Sequence, residues 1–207
     1  MQHVRQVLGL GVITMLLASC SSAPMHFYTL RQSGAEPVVA VPAAAAFVID
    51  VQPVAVPAQV DQQELLVRES EQRVAILDNE RWAAPLAAEM REALAADLIA
   101  ALGTRDVHGL QQPAGRPVYR IDVEIRQFDS WPGRHAAIEA DWNIRGGTDQ
   151  ALASCTSGVS EQVGTGYDAL VQGHQRALAR IATDVASALR SVANGASVVC
   201  PKPDTRR

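Results

Sequence analysis

Three cysteines and five histidines are the side chains of this 207-residue chain best suited to nucleophilic, acid–base or metal chemistry. Their spacing argues against most of it. His26, His108, His135 and His174 are scattered, and no His/Cys cluster falls at metal-ligand spacing. His174 lies on the apolar face of a predicted helix, where it reads as a core or interface histidine. Asp122 and Glu124 sit on the wet face of a predicted strand with Arg120 and Arg126, so cross-strand charge pairing explains them more simply than acid/base work. Gly164-Thr165-Gly166 precedes a helix but lacks the lysine and hydroxyl that complete a phosphate loop, and reads as a strand-to-helix turn. The expectation is a protein that is not an enzyme, with no catalytic residue, no metal and no cofactor.

What remains is chemistry done to the chain. Leu17-Ala18-Ser19-Cys20 closes a hydrophobic run from Val7 to Leu17, too short to span a bilayer as a helix. A short apolar run followed by small residues is the pattern of a secretory signal. Here the small residues lead straight into a cysteine and then Ser21-Ser22-Ala23-Pro24, which resembles the lipobox of bacterial lipoproteins. Arg5 is the one firm positive charge ahead of it. The alternative is an ordinary signal peptide with a chance cysteine. On the lipobox reading Cys20 is acylated, becomes the first residue of the mature chain, and carries the only expected non-protein group, a covalent lipid. Ser21, and not aspartate, follows it, which by analogy with bacterial sorting favours the inner leaflet of the outer membrane. The expected organisation is a signal peptide over 1–19, a lipidated tether over 20–26, one domain over 27–200 and a flexible tail over 201–207.

Removing residues 1–19 takes away Arg5 and leaves 17 Lys+Arg against 22 Asp+Glu, a net charge of −5. That balance gives nucleic-acid binding no electrostatic support. Aromatic residues make up 4% of the chain, which disfavours a stacking platform. With Cys20 acylated, Cys155 and Cys200 remain as an even pair in an oxidising compartment. A disulfide is the economical reading; two buried thiols or a metal pair are the others.

Periodicity supplies the elements. His26–Leu30 and Phe47–Val51 read as strands, and Gly34–Ala46 as an extended, proline-punctuated connector. Glu64–Glu69 and Arg73–Leu77 read as a hairpin around Ser70-Glu71-Gln72. Asp78-Asn79 offers a cap for a helix with Pro85 in its first turn. Trp82, Leu86, Met90, Leu94, Leu98 and Leu102 form its apolar stripe, Glu89, Arg91 and Glu92 lie mostly on the other side, and Gly103 stops it. Tyr119–Ile125 and Ala136–Ile144 alternate as half-buried strands, and Ala151–Val163 reads as a third. Tyr167–Val192 has helical spacing, ended by Asn194-Gly195. The fold class is α+β: a two-layer sandwich of a mixed, mostly antiparallel sheet with two long helices on one face.

Four blocks of residues resemble the ABC-type transport auxiliary lipoproteins. They are Phe27-Tyr28-Thr29-Leu30, Val48–Pro57, the run from Leu65 through Arg81-Trp82 and Pro85-Leu86, and Tyr119–Asp129 followed by Ala137–Trp142. Helix Leu170–Leu189 is compatible. The resemblance covers essentially the whole mature chain. It implies a non-catalytic partner in lipid or solvent-tolerance transport, accompanying an inner-membrane ABC or permease component and an MCE-domain protein that bridges the periplasm. It also makes a homo-oligomeric ring an expectation. Phe27, Tyr28, Thr29 and Leu30, or an open strand edge, would meet the partner, and deleting the four should abolish capture without unfolding the domain. Two other readings stay open. One is a lipid carrier, with room left by Ala83, Ala87, Ala136 and Ala140; the other is a structural envelope lipoprotein.

Overall fold

The computed structural model describes residues 23–32, 45–147 and 149–202, and the elements and pairings below are those of the described residues. The signal segment, Cys20, most of the proline-punctuated connector and residues 203–207 lie outside them. The chain runs β1 (His26–Tyr28), β2 (Val48–Val51), β3 (Glu64–Arg68), β4 (Val74–Trp82), α1 (Leu86–Leu102), β5 (Val118–Trp131), β6 (His135–Arg145), β7 (Ala151–Gln162) and α2 (Tyr167–Ala193). This is the α+β architecture expected, with the strands divided between two sheets. One has the order β1-β4-β3 and the other β2-β5-β6-β7. β1 and β2 join their sheets in parallel; the remaining pairings are antiparallel.

Alternation decides which side of each strand is dry. Ile121, Val123 and Ile125 of β5, Ile138, Ala140, Trp142 and Ile144 of β6 and Cys155 and Val159 of β7 turn inward into one core with the helices. A bulge between Ile125 and Gln127 shifts the phase, so that Phe128 and Ser130 are the buried residues beyond it. Leu86, Met90, Leu94, Leu98 and Leu102 of α1, and Leu178, Ile181, Val185 and Leu189 of α2, complete that core. Each such side chain stabilises the fold by roughly 1.5–3 kcal/mol relative to full exposure. α2 packs so closely on the sheet that a Cβ at Gly173 would sit 2.3 Å from Val163 Cγ1 and 2.9 Å from Ala136 Cβ. That close approach is why a mid-helix glycine, otherwise unfavourable, stands there.

The first helix differs from the sequence reading. Asp78 and Asn79 do not cap it. They continue β4, which runs on to Trp82 because β1 pairs with Glu80, Arg81 and Trp82 from the open side. Opposite, the register with β3 jumps from Leu65↔Leu77 to Glu64↔Arg81, a bulge that holds the polar residues Asp78–Glu80. Helix α1 begins at Leu86, with extended Pro85 (φ −50°, ψ 138°) in the cap position and no side-chain cap bond. Trp82 therefore ends a strand and is buried there, not on the helix stripe. At the other end Gly103 closes α1 in the left-handed conformation at φ 62°.

His174 is a core histidine. It is fully buried, stacked on Phe128 at 4.0 Å between ring centroids, with Nε2 2.8 Å from Ser130 Oγ. Burial pushes its pKa down to about 3, so the imidazole is neutral.

Candidate functional site

Residues 27–30 do not act as one surface. β1 is an edge strand three residues long, and its pairing alternates the box between two faces. Tyr28 turns inward beside Trp82; its hydroxyl donates to Glu80 Oε2 at 2.6 Å, and its carbonyl accepts from Ala83 N at 2.7 Å. Burial and then the Glu80 carboxylate push the phenol pKa well above its ordinary value. Partial burial works to raise Glu80, but hydrogen bonds to Tyr28 and His26 outweigh it and hold the carboxyl below its usual range. Thr29 Oγ1 donates to Glu89 Oε2 at 2.7 Å, Leu30 N donates to the same oxygen at 2.9 Å, and Gln175 Nε2 donates to the Thr29 carbonyl. Leu30 is 1% exposed, whereas Phe27 is 61% exposed.

Tyr28 thus fastens the N-terminal segment to β4, Thr29 and Leu30 strap it across α1 and α2, and Phe27 alone of the four is largely exposed. This overturns the expectation that deleting the box would spare the fold, because deletion removes a core leucine and the partners of two carboxylates. Glu89 was expected on the wet side of α1. It is buried because its carboxylate receives the strap, and a buried carboxylate needs such donors. Its position one residue before Met90, in the helix's first turn, is the sequence signal that went unused.

Cys155 and Cys200 are joined as a disulfide, with Cα atoms 5.4 Å apart. It ties the segment after α2 to β7. Among the described residues, no group of three or more His, Cys, Asp or Glu side chains is placed to hold a metal ion. Asp122 pairs across the strands with Arg145 at 3.2 Å, as cross-strand charge pairing predicts, whereas Glu124 pairs with Arg126 along its own strand at 2.7 Å. Gly166, at φ 90°, makes the turn into α2.

Register then defines the outer side of the molecule. Outward positions of β5 and β6 carry Arg120, Asp122, Glu124, Asp129, Asp141 and Arg145, engaged in ion pairs. In the other sheet Phe27 lies opposite Arg81, Arg81 opposite Glu64, Leu66 opposite Ile76 and Arg68 opposite Val74. These side chains share one face, away from buried Leu65 and Val67. Arg68 reaches Asp129 at 2.8 Å, which joins the two outer faces into one surface. Val74 and Ile76 are 49% and 55% exposed on it. At its far margin β7 offers a twelve-residue strand hydrogen-bonded to β6 on one side and, among the described residues, to no strand on the other.

No helix among the described residues is long and apolar enough to cross a membrane. On the alternative reading of a lipid carrier, Ala136 would help leave room for an acyl chain; there α2 closes on the sheet at Gly173 and fills the space.

A family model described as ABC-type transport auxiliary lipoprotein component matches residues 28–186. No curated protein matches the sequence. Among solved structures, a Xanthomonas campestris protein of the DUF330 family is 17% identical and superposes with a TM-score of 0.62, over 82% of this chain and 96% of its own. Another, described as an uncharacterized protein, is 18% identical with a TM-score of 0.64, over 81% of this chain and 99% of its own. Those identities speak to fold. The family match spans the strap, both sheets and most of α2, and by it this chain belongs to the ABC-type transport auxiliary lipoprotein family.

Proposed function

We propose that the chain is a non-catalytic accessory of an ABC/MCE-type intermembrane transport system, held by acylated Cys20 on the inner leaflet of the outer membrane. It docks the MCE-domain partner by strand addition. The supporting observation is the twelve-residue open edge of β7. An unpaired strand edge is a ready template for another chain's backbone, and native proteins seldom leave a long one uncovered. The disulfide at Cys155 holds this strand to the segment beyond α2, and Arg176 donates to the Gln162 carbonyl at its end, so the edge is rigid when a partner arrives. The family supplies the ABC transport context; the cargo in this reading is lipid or a lipid-like solvent.

The test is a photo-crosslinking residue placed at Leu152 or Ser154 of β7, with Glu139 on the charged face as the comparison. The expected result is an adduct with the MCE partner from β7 and none from position 139. An adduct only with a second copy of the chain would assign the edge to a ring instead, and no adduct from β7 would overturn strand addition. Cys20→Ser should abolish incorporation of radiolabelled palmitate and release the protein from the membrane fraction.

A further inference from the structure

We propose that the outer face of the three-stranded sheet, presented by Phe27, Val74 and Ile76, rests on the lipid surface that holds the Cys20 acyl chains. The proposal rests on the acylated-cysteine reading and adds to it an orientation and a second contact.

The first argument is chain length and direction. β1 runs parallel to β4 with His26 opposite Glu80. Going backwards from His26 therefore leads along β4 towards Val74 and the hairpin tip. Cys20 is six positions before His26, as Val74 is six before Glu80. At about 3.3–3.6 Å per residue when fully extended, the anchor lies within roughly 20 Å of His26. The part of the domain nearest the membrane is the end of the molecule that carries this sheet.

The second argument is what that sheet shows to the outside. Phe27, Val74 and Ile76 are 61%, 49% and 55% exposed, and Met25, between them and the anchor, is exposed as well. On that face Arg81 pairs with Glu64 at 3.1 Å, and along the tip Arg73 pairs with Glu69, while the carboxylates of Glu71 in the tip and Asp78 in the bulge are exposed at its margin. An apolar face bordered by polar groups suits the headgroup boundary of a bilayer. The adjoining four-stranded sheet turns a charged face outward, so the apolar patch stops where the distance from the anchor grows. A single acyl chain gives marginal attachment, and stable anchoring uses a second signal; several acyl chains hold firmly alone, and the patch then fixes orientation.

A fluorescent probe settles the matter. Cys155 and Cys200 are bonded, and an acylated Cys20 has no free thiol. In Val74→Cys, Ile76→Cys and Glu139→Cys the introduced thiol is then the one that reacts with an NBD label. The full-length lipoprotein is reconstituted into phosphatidylethanolamine/phosphatidylglycerol vesicles with ordinary or brominated acyl chains. Labels at 74 and 76 should shift to the blue and be quenched by brominated chains severalfold more than the label at 139. Added salt should leave that difference unchanged, since the patch is uncharged. Equal quenching at 76 and 139 in a protein that floats with the vesicles overturns the patch and leaves the anchor standing. A label at 76 that is shielded yet insensitive to bromine means a protein occupant, and also overturns it. A chain that fails to float overturns the anchor, and the patch with it.

Discussion

The two sheets share one inner core and turn contrasting faces outward. The four-stranded sheet shows Arg120, Asp122, Glu124, Asp141 and Arg145, in cross-strand and neighbouring ion pairs. The three-stranded sheet shows Phe27, Val74 and Ile76. The outward positions of a strand record what it faces. Alternation means water, and its absence means a second dry contact. Val74-Ala75-Ile76-Leu77 is apolar throughout, the pattern of a strand with both faces covered. Yet Val74 and Ile76 are half exposed. That pattern suits a strand covered on both sides, and the described residues cover only one. In the proposed orientation the lipid surface supplies the other cover.

The two halves are also fastened differently, and the largest predicted effect breaks that contrast. The four-stranded sheet has a covalent staple at its edge, closing a sequence separation of 45 residues. Replacing Cys155 and Cys200 together by serine should cost about 4 kcal/mol if the bond acts by restricting the unfolded chain. Denaturant unfolding under oxidising conditions measures it, and a loss below about 1 kcal/mol would remove the staple from the comparison. The three-stranded sheet relies on the strap instead. Leu30→Ala should cost about 2–5 kcal/mol, the range for a buried leucine, because Leu30 is 1% exposed. Phe27→Ala, in the same four-residue box but 61% exposed, should change stability by no more than about 0.5 kcal/mol. Equal costs at 27 and 30 would show that the box does act as one unit.

A smaller effect lies beneath the junction of the sheets. His174 is fully buried under Phe128, with its pKa lowered from 6.5 to about 3. The facing groups are Ser130 on Nε2 and, further off, Asp129 and His135. Between those two pH values the unfolded chain binds the proton and the folded one does not. Stability is therefore complete above about pH 6.5 and falls as the medium is acidified, by up to about 1.4 kcal/mol per pH unit. Glu80 acts in the same direction only below its ordinary carboxylate range, since its pKa is lowered. His174→Gln should flatten the slope between pH 6.5 and 5 while leaving the more acidic loss in place. Urea midpoints across that range test it, and an unchanged slope would mean that another group sets it.

The legible part of the molecule was the part with a single period. Tyr119–Ile125, Ala136–Ile144 and the stripe of α2 alternate or recur cleanly, and the structure has β5, β6 and α2 there. What could not be read depends on two segments meeting. β4 extends past Leu77 because β1, about fifty residues earlier, supplies hydrogen bonds to Glu80–Trp82. Locally, Asp78-Asn79 followed by Pro85 looks like a helix start, and tertiary pairing overrides it. The bulges in β4 and β5 change the phase without a glycine to mark them. The box was recognised as a block, but its division into strap and exposed residue follows from Glu80, Glu89 and Gln175, each distant in sequence. The cysteine pairing, by contrast, needed only a count.

The smallest effects decide whether the contrast between the outer faces is real. Arg145 pairs with Asp122 at 3.2 Å, with both side chains more than a third exposed. Such a pair is worth about 0.2–1 kcal/mol and is weakened by salt, so Arg145→Ala should lose a few tenths, and less at high ionic strength. Ile76→Ser removes an apolar side chain that is 55% exposed. In the protein freed of membrane it should change stability by no more than about 0.5 kcal/mol in either direction, with no dependence on salt. A loss well above about 1 kcal/mol at Ile76 would mean that the side chain is packed within the fold, for instance by residues outside those described here. The three-stranded face would then be an ordinary interior surface. A near-zero change leaves Ile76 with no folding role to account for its being apolar, and the reason for it must lie in what the face touches.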